Sequence, residues 1–230
     1  MTFKSLGLSK PLLKGVKRLG YKLPYPIQLK AIPVILAKKD VLGIAQTGSG
    51  KSAAYLLPLL QLWLEEQWEM TSRHIPVLIL VPTRELATQV HSVLLELSSE
   101  LSRRPKSMAI YGGVSINPQM KGMQGVDFLI GTPGRLLDLI DSKALSLSDL
   151  KILVLDEADK MLNIGFKEEM DQLLKMMPQK RQNLLFSATL SKEVDLINQM
   201  ILHEPEVIQI ITEAQKIELI DQRAFRVSRE

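Results

Sequence analysis

A glycine-containing loop between an apolar run and a helical segment is the feature of the sequence best suited to chemistry. It follows the β-prone run 41–45, and its residues are Ala45, Gln46, Thr47, Gly48, Ser49, Gly50, Lys51 and Ser52. Gly48 and Gly50 allow a tight turn with inward-facing amides, and the helix N-terminus behind them adds about half a positive charge. Lys51 can then pair with β and γ phosphates, and the Ser52 hydroxyl can ligate Mg²⁺. The loop is therefore predicted to bind the phosphates of ATP.

One position of this loop departs from the usual phosphate-binding pattern GxxxxGK[ST]. Ala45 stands where that pattern has its first glycine. The alternative interpretation is a glycine-rich turn that a serine merely caps. The context, with a strand immediately before the loop and a helix immediately after it, favours a phosphate loop.

A second chemical feature is a run of acids directly after another apolar segment. Residues 152–155 are apolar throughout, as expected for a strand buried on both faces, and Asp156-Glu157-Ala158-Asp159 follows them. The acids therefore emerge at the carboxyl end of a sheet, the edge at which open α/β sheets bind ligands. Asp156 is predicted to hold Mg²⁺ through water, and Glu157 to orient or deprotonate the attacking water. In the alternative, these acids only cap the next helix.

Short apolar runs that alternate with helix-period segments predict the elements that position these residues. The pattern is typical of a mainly parallel sheet covered by helices on both faces. The predicted strands are residues 41–45, 77–82, 107–111, 127–131, 151–155, 184–187 and 206–210. Predicted helices include 86–101, which has a single apolar stripe, and 168–177, which ends at Pro178. A third, 53–69, contains Pro58, which is expected to kink or shorten it.

Composition restricts the class of protein. The chain has 230 residues, 46% hydrophobic and 23% charged, so one main soluble domain is expected. No apolar run approaches the ~18 residues of a membrane span and no signal-type segment is seen, so no membrane partner is predicted. The absence of cysteine and the scattered histidines argue against a protein-bound transition metal. The net charge of +4 permits an acidic partner without identifying one.

Through the glycine-containing loop and the acidic run together, the chain resembles the DEAD-box RNA helicases, specifically the first of their two RecA-like domains. Upstream of the phosphate loop, the segments similar to the family's adenine-recognising Q motif are Phe3, Gly20-Tyr21 and Pro24-Tyr25-Pro26-Ile27-Gln28. The resemblance implies that Gln28 reads the adenine edge, because an amide offers one donor and one acceptor, while Tyr21 and Phe3 pack near the base. Tyr25 replaces the family's small hydroxyl residue, so a loop-capping role is not carried over to that position.

Three further segments are similar to the family's RNA-contacting motifs. They are Pro82-Thr83-Arg84-Glu85-Leu86-Ala87, Gly112-Gly113 and Thr132-Pro133-Gly134-Arg135. Hydroxyls, glycine amides and arginines suit phosphate oxygens and 2′-OH groups, which position a strand without reading its bases. An aromatic content of 5% argues against a surface built from stacked bases. The resemblance thus implies largely sequence-independent RNA binding, whereas Arg84 and Arg135 taken alone could equally be surface salt-bridge residues.

The segment Ser187-Ala188-Thr189, at the end of a predicted strand, resembles the motif that couples hydrolysis to strand separation. The resemblance implies that it hydrogen-bonds the turn 156–159, which brings Asp159 into the coupling. A helix cap by Thr189 or Ser191 is an alternative that is compatible with this role.

The resemblance also implies a RecA-like P-loop NTPase fold and a division of the chain. Residues 1–210 would form the N-terminal ATP-binding domain, including the Q-motif segment 1–30, and residues 211–230 a linker. Residues 218–226 look like the beginning of the family's second RecA-like domain. That domain carries arginines that complete the ATP site, and it provides half of the RNA groove.

The implied activity is ATP hydrolysis with Mg²⁺, coupled to local RNA unwinding or to remodelling of ribonucleoproteins. Without the second domain, the chain is expected to be a monomer that binds nucleotide, hydrolyses little ATP and does not unwind, because a supplied arginine is worth about 10³–10⁵ in rate. The expected location is cytoplasmic, or nuclear or nucleolar in a eukaryotic cell. Two alternatives remain open: an ATP-gated RNA clamp with little unwinding, and a P-loop ATPase that acts on another substrate.

Overall fold

The computed structural model describes residues 1–66, 68 and 73–210, in which a parallel sheet forms the centre. Its strands are β1 (Val41–Ile44), β2 (Val77–Leu80), β3 (Ser107–Ile110), β4 (Phe128–Gly131), β5 (Ile152–Asp156), β6 (Gln182–Ser187) and β7 (Glu206–Gln209). They lie in the order β3-β4-β2-β5-β6-β1-β7, and every neighbouring pair is parallel. All the predicted strands are confirmed, with ends that agree within two residues.

Helices cover the sheet on both sides. They are α1 (Lys10–Arg18), α2 (Pro26–Leu36), α3 (Lys51–Glu66), α4 (Arg84–Leu97), α5 (Ile116–Gly122), α6 (Pro133–Asp141), α7 (Ala158–Ile164), α8 (Lys167–Lys175) and α9 (Lys192–Ile201), with a 3-10 helix at Phe3–Leu6. The helix predicted to reach Leu101 ends at Leu97, but Leu101 is still buried. Within the described part of the chain, no helix has the length and apolar character needed to cross a bilayer.

Pro58 does not interrupt α3, and the predicted kink or shortening of this helix stays a prediction. The helix begins at Lys51 and is continuous through Pro58 to Glu66, while the predicted last residue, Glu69, lies outside the described residues. Proline removes one hydrogen bond within the helix. The apolar side chains of α3 are buried along most of its length, against α2 and the sheet. This packing offsets the single lost bond.

The core consists of two apolar layers, one on each face of the sheet, and every strand except the edge strand β7 contributes to both. In β2, Val77 and Ile79 pack with α1–α4, whereas Leu78 and Leu80 pack with α6–α9. This alternation follows from the two-residue period of a strand, and it makes the runs apolar throughout. The sheet is therefore a rigid support for the loops at its carboxyl edge.

The strand order sorts these loops into two groups. The phosphate loop, the acidic turn and the segment 187–189 follow β1, β5 and β6, which are neighbours. The three predicted RNA-contacting segments follow β2, β3 and β4, which are also neighbours. Two candidate sites thus lie side by side along one edge.

Candidate active site

The phosphate loop joins β1 to α3 and makes the turn that its glycines were predicted to allow. Gly48 and Gly50 have φ angles of +83° and +87°, in the region that favours glycine. Ala45 does not have a positive φ, so the alanine that replaces the usual glycine causes no backbone strain. Because α3 begins at Lys51, the free amides of its first turn lie at the loop. The loop is a preformed site for an anion.

Lys51 is a buried cation inside this loop. Its ammonium donates a hydrogen bond to the Ala45 carbonyl oxygen at 2.6 Å, and the residue is 6% exposed. Burial lowers the pKa of Lys51, while the carboxylates of Asp156 and Glu157 partly oppose that shift. A desolvated ammonium gains from a nearby phosphate, so its position suits the predicted phosphate contact.

Asp156 is the last residue of β5 and lies beneath the loop. Its Oδ2 accepts a hydrogen bond from the Tyr55 hydroxyl at 2.8 Å, and its Oδ1 is buried with no hydrogen-bond partner among the described residues. Burial raises the pKa of Asp156 to about 6, although the Tyr55 hydrogen bond and the Lys51 charge oppose the rise. An unpartnered carboxylate oxygen in this position is suited to a cation.

The donor atoms at this point fit Mg²⁺. The Asp156 carboxylate and the Ser52 hydroxyl supply oxygen, the ligand that Mg²⁺ prefers. The structure, over the residues it describes, contains no group of three or more His, Cys, Asp or Glu side chains that could hold a metal ion. A magnesium ion at this site would therefore take its remaining ligands from water and from nucleotide phosphates, as is usual for this ion.

Glu157 has a strained backbone. Its φ and ψ are +54° and 48°, in the left-handed region, which costs a residue other than glycine about 1–2 kcal/mol. The side chain is 11% exposed and forms an ion pair with Lys160, with a separation of 2.9 Å between Nζ and Oε2. Such strain persists only where the surroundings fix it, and it concentrates at functional sites. The turn sends the Glu157 side chain to the wall of a cavity above the phosphate loop.

This cavity, of about 480 Å³, brings together residues from four separate segments of the chain. Its lining includes Tyr21, Gln28, Lys51, Ser52, Thr83 and Glu157. The Q-motif segment, the phosphate loop, the start of α4 and the acidic turn therefore share one space. The predicted nucleotide residues that line this cavity are Tyr21, Gln28, Thr47, Gly48, Gly50, Lys51 and Ser52. Thr83, from the first predicted RNA-contacting segment, borders the same cavity.

Gln28 connects the Q-motif segment to the phosphate loop. Its Nε2 donates to the Gly50 carbonyl oxygen at 3.0 Å, and its Oε1 accepts from the Tyr25 amide at 2.9 Å. An amide has two hydrogens and two lone pairs, so one donor and one acceptor position remain after these bonds. Contact with adenine stays a prediction, and the observed role of Gln28 is to brace the loop.

Phe3 does not line the cavity and instead packs behind Tyr21, which does. It is buried, and its ring packs on that of Tyr21, with 6.5 Å between the centroids and 22° between the planes. Tyr21 lines the nucleotide cavity on one side and a neighbouring groove with Phe3 on the other. Phe3 therefore supports Tyr21, and only Tyr21 of the pair borders the nucleotide cavity.

Replacement of Gly50 by alanine is expected to destabilise the domain more than replacement of Gly48. Both positions have positive φ, which costs alanine about 1–2 kcal/mol. A Cβ at Gly50 would lie 2.5 Å from Gln28 Nε2 and 2.9 Å from Tyr25 Cδ2, whereas a Cβ at Gly48 would meet nothing within 4 Å. Gly50→Ala should therefore lose a further ~1 kcal/mol, the value of the displaced hydrogen bond. Urea unfolding of both variants measures the difference, and equal losses would contradict the bracing role of Gln28.

The segment Ser187-Ala188-Thr189 contacts both parts of the site. The Thr189 hydroxyl donates to Asp159 Oδ2 at 3.0 Å, and the Ser187 carbonyl oxygen accepts from the Ala45 amide at 3.0 Å. The Ser187 hydroxyl is buried without a hydrogen-bond partner among the described residues. The hydrogen bond to the acidic turn is thus present through Thr189, and the coupling role stays a prediction. Ser191, not Thr189, caps α9 by accepting from the Val194 amide.

Comparison with known proteins adds to this geometry. A family model described as DEAD/DEAH box helicase matches residues 25–197, three quarters of the chain. The chain belongs to the DEAD/DEAH box helicase family. An ATP-dependent RNA helicase CshA from Limosilactobacillus reuteri is 42% identical over 98% of this chain. A probable ATP-dependent RNA helicase ddx27 from Dictyostelium discoideum is 44% identical, also over 98% of the chain.

A solved structure confirms the RecA-like fold of this DEAD-box chain. The crystal structure of a DEAD box protein from the hyperthermophile Methanococcus jannaschii matches with a TM-score of 0.82 and 35% identity. The match covers 91% of this chain and 56% of that one. The chain spans 44% of the Limosilactobacillus relative and 29% of the Dictyostelium relative.

The side chains of the three predicted RNA-contacting segments differ in their contacts. Thr83 caps α4, because its hydroxyl accepts from the Leu86 amide at 3.2 Å, and Pro82 precedes it after β2. Arg84 is exposed and lies 3.3 Å from Glu85, a surface pair of little energetic value. Loss of this ion pair would cost little free energy, so Arg84 is available to bind a phosphate.

Arg135 is buried, unlike Arg84. Its Nη2 donates to the Val114 carbonyl oxygen at 2.8 Å, and its Nε donates to Asp138 at 3.2 Å. The arginine therefore connects the segment Thr132-Pro133-Gly134-Arg135 to Val114, which directly follows Gly112-Gly113. Gly113 has a φ of +78°. Its Nη1 has no hydrogen-bond partner among the described residues. The geometry assigns Arg135 a bracing role, and direct RNA contact by it stays a prediction.

Two residues of the DEAD-box site were not predicted from the sequence. Tyr55 lies four residues after Lys51, one helical turn along α3, and reaches Asp156. Lys160 follows the acidic turn, lines the cavity and pairs with Glu157. For Tyr55 the sequence signal is a tyrosine hydroxyl within a helix that is mostly apolar and buried. The second has no sequence signal, since an exposed lysine is common.

Proposed function

We propose that this chain is the ATP-binding first RecA-like domain of an ATP-dependent RNA helicase, which couples ATP hydrolysis to local unwinding or remodelling of ribonucleoproteins. The observation that carries the proposal is the linkage of three motifs on adjacent strands. Ala45 bonds Ser187, and Thr189 bonds Asp159, so the phosphate loop and the acidic turn both contact the segment 187–189. The relatives' names, ATP-dependent RNA helicases, support the same activity.

ATP is the proposed nucleotide and Mg²⁺ the proposed cofactor. The amides of residues 45–52 and the Lys51 ammonium would hold the phosphates, and the Gln28 amide would read adenine. Ser52 and, through water, Asp156 would hold the ion, which supplies neutralisation of the charge on the phosphates. Glu157 would orient or deprotonate the water that attacks the terminal phosphate. In such a reaction the protein contributes mainly positioning and electrostatic stabilisation.

RNA is the proposed second ligand, bound through its backbone along the loops after β2, β3 and β4. Hydroxyls, glycine amides and Arg84 supply contacts to phosphate and 2′-OH groups, which are the same for every base. Binding should accordingly show little base preference and should weaken as salt rises. Competition among RNA homopolymers at fixed salt measures this, and strong preference for one base would contradict it.

The proposed active unit contains a second RecA-like domain in addition to residues 1–210. By the family resemblance, that domain would contribute arginines to the ATP site and would form half of the RNA groove. Residues 211–230, which lie outside the described residues, would be the linker. A monomeric state of this domain is part of the proposal. So is a location where RNA is abundant: the cytoplasm or, in a eukaryotic cell, the nucleus or nucleolus.

ATP turnover tests the proposal. Turnover would be measured with and without single-stranded RNA, for this chain alone and after fusion to the second domain of the Limosilactobacillus relative. We expect near-background turnover by the chain alone and RNA-stimulated turnover by the fusion. Appreciable, RNA-independent turnover by the chain alone would favour a P-loop ATPase with another substrate. Tight ATP-dependent RNA binding by the fusion with no strand separation would favour an RNA clamp.

A further inference from the structure

Tyr55 is a fully buried tyrosine between the two elements that form the phosphate site. It lies on α3, and its ring packs on Phe186 of β6 with 5.4 Å between the centroids. Its hydroxyl donates to Asp156 Oδ2 at 2.8 Å. Asp156 and Phe186 are register partners on β5 and β6, so one side chain contacts both members of the pair. Burial of a hydroxyl without a hydrogen bond is costly, and Asp156 provides the partner of this one.

The hydrogen bond restricts the Asp156 carboxylate. The terminal torsion of an aspartate is soft, so an unanchored carboxylate can rotate. With Oδ2 bound to Tyr55, the plane of the group is fixed, and Oδ1 is the oxygen left without a hydrogen-bond partner among the described residues.

We propose that Tyr55 is a positioning residue for the magnesium site. Its hydroxyl holds the Asp156 carboxylate in the orientation that directs Oδ1 toward the water shell of the ion. The inference rests on the proposed function, because it assumes that Asp156 acts on Mg²⁺. Mg²⁺ tolerates little departure from octahedral geometry, so the orientation of an outer carboxylate affects its binding. Loss of such outer partners typically lowers metal affinity by about 10- to 100-fold. A single hydroxyl on α3 thus contributes to an ion that it does not touch.

The test is Tyr55→Phe, which removes the hydroxyl and keeps the ring on Phe186. Affinity for fluorescent ADP would be measured in EDTA and across a Mg²⁺ titration, with Tyr111→Phe as a control that removes a hydroxyl outside the nucleotide cavity. We expect unchanged affinity in EDTA and a Mg²⁺ midpoint raised by about 10-fold for Tyr55→Phe alone. Unchanged magnesium dependence would overturn the inference, and so would an equal loss of affinity with and without Mg²⁺, which would indicate packing only.

A double-mutant cycle separates positioning from a general effect on folding. In an Asp156→Asn background, Tyr55→Phe should shift the Mg²⁺ midpoint by less than about 2-fold, because the group that it positions has been changed. A full 10-fold shift in that background would show that Tyr55 acts by another route and overturn the inference. If the unaltered chain binds no adenine nucleotide, the proposed function fails first and this inference with it. Nucleotide binding with normal magnesium dependence in Tyr55→Phe removes the inference alone.

Discussion

Lys51→Ala is expected to lower the affinity of the chain for ATP and ADP by at least about 100-fold, because it leaves buried phosphate charge without its partner. Lys51 is 6% exposed, and in this structure its ammonium bonds the Ala45 carbonyl oxygen. That neutral contact can be exchanged for a charge-assisted contact to phosphate, which is about twice as strong. The ammonium is a large part of the positive charge at the loop, so the remaining amides should not compensate.

The measurement for Lys51→Ala is a titration with fluorescent nucleotide, with Lys39→Ala as the matched control. Lys39 is exposed and lies before β1, at the opposite edge of the sheet from the phosphate loop. Its removal subtracts the same charge without touching the site. Thermal unfolding of both variants verifies folding. Retention of near-normal affinity by Lys51→Ala would contradict the assignment of this loop as the phosphate site.

Glu157→Gln is expected to slow ATP turnover of the two-domain fusion by about 10²–10⁴-fold, the usual contribution of a positioned general base. Nucleotide affinity should change little, because glutamine keeps the size of the side chain and the strained backbone at +54° is unaffected. The ion pair with Lys160 is lost, but Lys160 is half exposed and such a pair contributes little. The predicted effect is therefore on rate and not on binding.

Single-turnover hydrolysis with saturating RNA measures the Glu157→Gln effect. Glu168→Gln, at the exposed first turn of α8, is the matched control for loss of one carboxylate. A variant that hydrolyses ATP at the unaltered rate would show that another group activates the water. A variant that loses nucleotide affinity would instead indicate that Glu157 acts mainly in binding.

Local features of the sequence were sufficient to predict the elements and most of the site. The run 152–155 is apolar throughout and the run 41–45 is apolar except for Gly43, and short runs of this kind are typical of strands buried on both faces. Gly48 and Gly50 were predicted to allow a tight turn, and both have a positive φ in the structure. These predictions succeeded because each depends on neighbouring residues and on the period of a strand or helix.

Predictions that depended on packing were less complete. Pro58 does not interrupt α3, because burial along the helix offsets one missing hydrogen bond. Arg135 was placed among the RNA contacts, yet its guanidinium is buried and bonds the Val114 carbonyl oxygen. The contact between Tyr55 and Asp156 joins residues 101 positions apart, which no local pattern indicates.

The sequence by itself determined which residues could do chemistry, the strand or helix that precedes each, and the carboxyl edge on which they emerge. The tertiary structure alone decided the strand order β3-β4-β2-β5-β6-β1-β7. That order makes neighbours of β5, β6 and β1, which precede the predicted nucleotide motifs, and of β3, β4 and β2, which precede the predicted RNA motifs. The physical reason is that the period of apolar residues along a strand or helix determines which of its faces is buried. Which strands become neighbours depends instead on packing between segments that are far apart in the sequence, in both apolar layers. Thr83, at the end of β2 beside β5, borders both groups for the same reason.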